Sequence, residues 1–272
     1  MLGHNKGVTI DRNSLSDSAK RALEGGTSIV GAVAGAAISM MTGDPLLGLA
    51  GVAGGELLAW GLNDVTMRVL SEREQKRVGA VSIFAVQAFE RIQQTGGSLR
   101  TDGFFESNLS GRSPGDEIVE HVLIAAKNSF EENKLPYFGN LIAAVACATT
   151  VDRSTANWAI DIFDRLSWTQ VLILSAFART DEFKLPDADL YSNPKEWSAW
   201  SVHKLLHEMS TDNLALLNAP METGERGQPR WPTEISAKKL TTAGSLIFQL
   251  SGLDQIPAAD IEPVVHELSK PK

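Results

Sequence analysis

Residues 25–62, GGTSIVGAVAGAAISMMTGDPLLGLAGVAGGELLAWGL, carry Asp44 and Glu56 as their only charges and are dominated by glycine, alanine and aliphatic side chains. Glycine in a helix interior costs about 1 kcal/mol relative to alanine, so Gly48, Gly51, Gly54 and Gly55 together oppose an isolated helix by several kcal/mol. Packing against something must compensate. The spacings Gly31-x-x-x-Gly35 and Gly51-x-x-x-Gly55 remove side chains from one ridge and let another backbone approach closely. Gly43, Asp44 and Pro45 form a turn signal between the two arms, because proline presets a turn dihedral and disfavours helix at the residue before it. The segment therefore predicts a hairpin of two short helices.

Two environments fit such a hairpin. A spanning helix needs about 20 apolar residues, whereas residues 27–43 fall slightly short and the second arm is interrupted by Glu56. A carboxylate near the bilayer centre costs roughly 2.5–3.5 kcal/mol on insertion scales, which is tolerable if it faces the other arm or a pore. Trp60 suits the interface. Gly31, Gly35, Gly48, Gly51, Gly55, Glu56 and Trp60 are thus the candidate membrane or self-association residues, with lipid or a second copy as partner. The alternative is a water-soluble helical pair whose small residues pack beneath the helices that follow.

Those helices announce themselves by their caps. Val78, Val81, Ala85, Ala88 and Ile92 recur at threes and fours up to a Gly96-Gly97 stop. Ser113, Pro114 and Asp116 then supply an N-cap, a first-turn proline and a capping-box acid. The apolar face of this second helix is read as Ile118, Val122, Ala125, Ala126 and Phe130, with Glu131, Glu132 and Lys134 marking a solvated end near Pro136. Residues 137–149 are nearly all apolar and predict a central helix. Asp152 caps the next helix, and Ser167 with Gln170 forms a further capping box for residues 168–178. Helix following helix, without alternating strand patterns, predicts a bundle and excludes a Rossmann-like reading.

The tail differs. A helix over residues 195–209 is followed by short strands expected at 214–217 and 235–240 around a proline- and glycine-bearing loop, then by a helix over 241–253. This order resembles the end of a winged-helix module. It implies a candidate nucleic-acid or partner contact through His203, Lys204, Arg226 and Arg230. Glu196, Glu208, Asp212, Glu222, Glu225 and Glu234 surround those bases, and the whole chain has a formal charge of -8, so nucleic acid is the weaker partner and protein the stronger one.

The expected organisation is a polar segment at 1–24, the hydrophobic hairpin at 25–71, a helical bundle at 72–180 and a small α+β subdomain at 181–272. The fold class is mainly α. The first residues lack the basic-then-apolar order of a secretory signal, so synthesis is expected to finish in the cytoplasm, with the inner membrane as the site of association. Cys147, the single cysteine, reads as a small core residue.

No enzymatic motif accounts for the remaining residues. His203 and His207 are four apart, but HKLLHE lacks the glutamate directly after the first histidine that a zinc-protease helix uses as base, so both read as partly exposed histidines and no metal is expected. Gly111-Arg112-Ser113-Pro114-Gly115 has the Gly-x-Ser-x-Gly spacing, but Ser113 is read above as a helix N-cap followed by a first-turn proline, and no phosphate-binding loop is present. The expectation is a non-enzymatic protein without a cofactor.

Arg77-Val78-Gly79-Ala80, Glu131-Glu132-x-Lys134-x-Pro136-Tyr137-x-x-Asn140-Leu141, Leu166-Ser167-x-x-Gln170 and Leu240-Thr241-x-x-Gly244 resemble segments of bacterial helical proteins of phage-defence and mobile regions, including the Abi-alpha type. The resemblance extends over roughly residues 72–257 and implies a defence or abortive-infection role. The glycine-dense hairpin upstream departs from that pattern and makes membrane action the expected mode.

Overall fold

The computed structural model describes residues 70–107, 112–191, 194–211, 214–223, 228–230 and 232–270. The expected hairpin at 25–62 lies outside them. Within them the chain is mainly helical, with α1 (Glu72–Gln94), α2 (Pro114–Asn128), α3 (Leu135–Cys147), α4 (Arg153–Arg165), α5 (Trp168–Ala178), α6 (Trp197–Ser210), α7 (Thr242–Ser251) and α8 (Ala258–Leu268). Between α6 and α7 lie the two-residue strands β1 (Leu217–Asn218), β2 (Glu222–Thr223), β3 (Pro229–Arg230) and β4 (Lys239–Leu240).

Helix starts follow the side-chain chemistry. Ser71, Ser113 and Ser167 each form reciprocal capping boxes, with Glu74, Asp116 and Gln170 respectively, and Asp152 accepts from the Thr155 amide. These contacts satisfy backbone N–H groups that a helix cannot satisfy internally. At the other end, α1 closes at Thr95 with Gly96 at φ +88°, and Gly252 at φ +62° closes α7. Both positions are left-handed, where a Cβ would be strained.

Two helices form the centre. α3 lies against α1, α2 and α7, and α5 lies against α6, α7 and α8. Residues Val171, Leu172, Ile173, Leu174, Ala176 and Phe177 of α5 are all buried, so that helix is apolar around its whole circumference. Such a helix gains its stability from burial rather than from amphipathic placement at a surface. One continuous apolar core runs from Val78 to Leu268, so the segment after residue 181 packs onto the preceding helices through the same interior. A smaller cluster of Ala88, Phe89 and Ala143, with half-buried Cys147 against it, sits where α1 and α3 continue past that core. Burial pushes the Cys147 thiol pKa up.

Close approach of α1 and α3 depends on Gly139. A Cβ there would stand 2.6 Å from Phe84 Cβ and 2.7 Å from the Ala85 amide nitrogen. Polar seams bind the other elements. His121 on α2 reaches Asp161 at 3.1 Å and Asn157 at 2.7 Å on α4, while Asn140 on α3 donates to the Ser251 carbonyl at 2.9 Å.

Several sequence expectations are corrected here. Phe130 is 90% exposed, because α2 ends at Asn128 and turns the chain outward. The strands are shorter than expected, and Ile235–Ala237 forms a 3-10 turn instead of the start of the second strand. β1 pairs antiparallel with β4, and β2 pairs with β3 in a small hairpin between them. α8 was not anticipated at all.

Candidate functional site

The tail helix α6 has two distinct faces. Ala199, Val202, His203, Leu206 and Met209 fall on the buried one. His203 is 3% exposed, and its imidazole is pushed toward the neutral form mainly by that burial, against a backbone hydrogen bond at Leu268. The expectation of two partly exposed histidines is therefore corrected: His203 is enclosed beneath α8, and its side chain is not offered to a partner. His207 is half-buried, with its ring 5.5 Å from that of exposed Tyr191.

Lys204 is exposed on α6 and pairs with Glu208 at 3.6 Å, one turn further on. Arg230 lies on β3 opposite Glu222 of β2, and Arg226 falls outside the described residues. Of the bases expected to share one surface, Lys204 is thus ion-paired within its own helix and His203 is buried.

What the outer face of α6 does carry is aromatic. Trp197 is 82% exposed and Trp200 41%, with ring centroids 6.0 Å apart and nearly perpendicular. Positions 197, 200, 204 and 208 follow one helical stripe. Lys270 bonds Glu196 at 2.7 Å and Glu267 at 2.9 Å beside the start of that stripe, and these hydrogen bonds hold its ammonium above the usual lysine pKa. The result is an apolar ridge with a charged collar. In the sequence Trp197 and Trp200 fall within the helix expected over 195–209, and which of its faces stays exposed is decided only by packing.

A second feature lies at the junction of α1, α3, α5 and α8. A cleft of about 600 Å³ opens there, with Phe84, Pro136, Tyr137, Trp168 and Pro263 among its walls and Glu132, Asn133 and Asp260 among its polar lining. Tyr137 and Trp168 stack at 5.6 Å and an interplanar angle of 30°. The capping box at Ser167 places Trp168 at the first position of α5, and the Glu131 carboxylate accepts its backbone N–H at 2.8 Å.

Lys134 underlies this junction. It was expected at a solvated helix end, yet it is 2% exposed, and its ammonium donates to the carbonyls of Asp164 at 2.8 Å and Leu166 at 2.6 Å. The correction has a physical cause. The C-terminus of α4 presents carbonyls without helical partners, and a cation there satisfies them and the negative end of the helix dipole together. Arg77 acts similarly, donating to the Lys127 carbonyl at 2.9 Å at the end of α2.

No protein-family model, curated protein or solved structure matches this chain. The segments that carried the sequence resemblance are joints of this fold: Arg77 holds α2, Lys134 holds α4, Asn140 holds α7, and Gly244 lies so close to β1 that a Cβ would stand 2.2 Å from the Leu216 carbonyl oxygen. Among the described residues, no helix is long and apolar enough to cross a membrane and no group of His, Cys, Asp and Glu is placed to hold a metal ion.

Proposed function

We propose that this chain is a non-enzymatic effector whose helical body docks a protein partner through the Trp197–Trp200 ridge of α6, while the glycine-rich segment at 25–62 acts on a membrane or on further copies of the chain. The observation that carries the docking half is the exposure of two adjacent tryptophans on one helical stripe. Tryptophan is enriched among interface hot spots, where it provides a large rigid apolar area at little entropic cost, and a collar of charges is the usual rim. The membrane half is supported by sequence: Gly31, Gly35, Gly48, Gly51 and Gly55 lie in a segment charged only at Asp44 and Glu56, with Trp60 near its end. A defence or abortive-infection role and inner-membrane association belong to the same proposal, and the former rests on the resemblance of the joint segments alone.

The second reading is a regulator using a winged-helix-like tail. The order α6, β1, the β2–β3 hairpin, β4 and α7 favours it, since a helix followed by a two-stranded wing is the element order of such modules. The tryptophan ridge then favours protein over nucleic acid as its partner.

Expression of the full chain in a bacterial host tests both halves. Gly31→Leu with Gly51→Leu is expected to abolish liposome leakage and cell toxicity, whereas Trp197→Ala with Trp200→Ala is expected to abolish toxicity and leave leakage by the purified protein intact. Leakage and toxicity unchanged by the glycine substitutions would overturn the membrane mechanism. Toxicity unchanged by the tryptophan substitutions would overturn the docking half.

A further inference from the structure

The cleft between α1, α3, α5 and α8 has the chemistry of a small-molecule site. Its volume of about 600 Å³ lies inside the range of ligand pockets, roughly 300–1,000 Å³. Phe84, Tyr137 and Trp168 come to it from three separate helices, and Pro136, Pro263, Leu135 and Ala80 complete an apolar interior. Aromatic faces carry a negative quadrupole and attract cations as well as apolar groups.

The polar lining has one sign. Glu132 and Asp260 are the charged residues of the wall, and neither lysine nor arginine lines it. Glu132 is already engaged, since Arg73 at 3.0 Å and Arg77 at 3.8 Å both approach its Oε1. Asp260, in the first turn of α8, has no ion pair among the described residues. Asn133 adds an amide that can bond a donor.

From this juxtaposition of three aromatic walls with the Asp260 carboxylate, we propose that the cleft binds an amphipathic organic cation, a protonated amine carried on an apolar or aromatic body. The body lies against Phe84, Tyr137 and Trp168, and the ammonium bonds Asp260. An anion of the same shape meets the Asp260 carboxylate, and a neutral alcohol gains only the apolar contacts. The negative charge of the whole chain, formally -8, favours the arrival of cations. Because the cleft is walled by four helices, a bound amine joins α8 to α1, α3 and α5. This site is independent of the α6 ridge.

Calorimetric titration of the full chain with phenethylamine, 2-phenylethanol and 3-phenylpropanoate tests the proposal. Saturable binding of the amine is expected, with the alcohol and the acid weaker by about tenfold or more, the loss expected for one charge-assisted hydrogen bond. Asp260→Asn, an exposed substitution that keeps the fold, is expected to remove that preference. Trp168→Leu is expected to weaken the amine, while Trp197→Ala with Trp200→Ala leaves it unchanged. A lysine-bearing peptide that binds more tightly than phenethylamine and shares the Asp260 dependence would support the same chemistry and place its source in a protein. Equal binding of amine and alcohol, no binding of the amine, or indifference to Asp260→Asn would overturn the proposal.

Discussion

Replacing Lys134 by methionine isolates the role of a buried cation. Methionine preserves most of the unbranched stem and removes the ammonium that donates to the Asp164 and Leu166 carbonyls at 2.8 and 2.6 Å. A hydrogen bond from a charged donor contributes roughly 1.5–3 kcal/mol, so the gross loss is about 3–6 kcal/mol. Relief of the desolvation of a buried ammonium, itself several kcal/mol, offsets part of that loss. The Nζ also lies 5.2 Å from the Phe163 ring and 5.5 Å from that of Phe138, adding a smaller attraction that the substitution removes. A net destabilisation of about 2 kcal/mol follows, lowering Tm by about 4–8 °C in a body of this size.

The same variant has a pH signature. Burial pushes the folded Lys134 pKa below the ordinary 10.5, against the attraction of Asp164 and Glu131. Between that lowered folded value and 10.5, the unfolded chain keeps a proton that the folded chain has released, so wild-type stability gains from rising pH in that window. Below the window both states are protonated and the desolvation cost stands in full. Lys134→Met lacks this contribution, and Lys238, whose pKa is also lowered by burial, is common to both proteins. Urea unfolding at a series of pH values toward 10.5 should therefore show the gap between wild type and variant widening. A variant as stable as wild type at neutral pH, or a gap that narrows as pH rises, would refute the assignment of Lys134 as the cap of α4.

Gly139→Ala inserts a Cβ that would stand 2.6–2.8 Å from Phe84 and Ala85 atoms, including backbone, and should cost about 1–3 kcal/mol by overpacking, measured as a fall in the urea midpoint. The Glu74 carboxyl is held down to about 2 by hydrogen bonds from Ser71, first its backbone and then its side chain, and by Lys127. Its contribution is present above the ordinary carboxylate value of 4.5 and is lost as pH falls toward 2, so Glu74→Gln should be less stable than wild type near neutrality and converge with it in acid. Trp197→Ala, at a side chain 82% exposed, should change unfolding stability by no more than about 0.5 kcal/mol, as exposed substitutions do. A larger loss on thermal unfolding would make the ridge a structural element.

Local structure was largely written in the sequence because its signals act within one turn of helix. Ser113 with Asp116, Ser167 with Gln170 and Asp152 each find their amide partners three residues away, and α5 occupies the same residues in structure and expectation. Apolar repeats such as Val78, Val81 and Ala85 likewise declared their buried face. α8 carries Pro257 at its start and Pro263 within it, residues that weaken a helical signal, although a proline can precede a helix and an exposed turn can tolerate one within it. His203, Lys134 and Asp260 could not be assigned from their neighbours in the chain. Burial of His203 needs α8 above α6, the inward course of Lys134 needs the open carbonyls at the end of α4, and the cleft at Asp260 exists only where four helices from distant parts of the chain converge. Caps and periodicity are short-range effects that a sequence displays directly, whereas a side chain's solvent, partners and charge environment belong to the packed body.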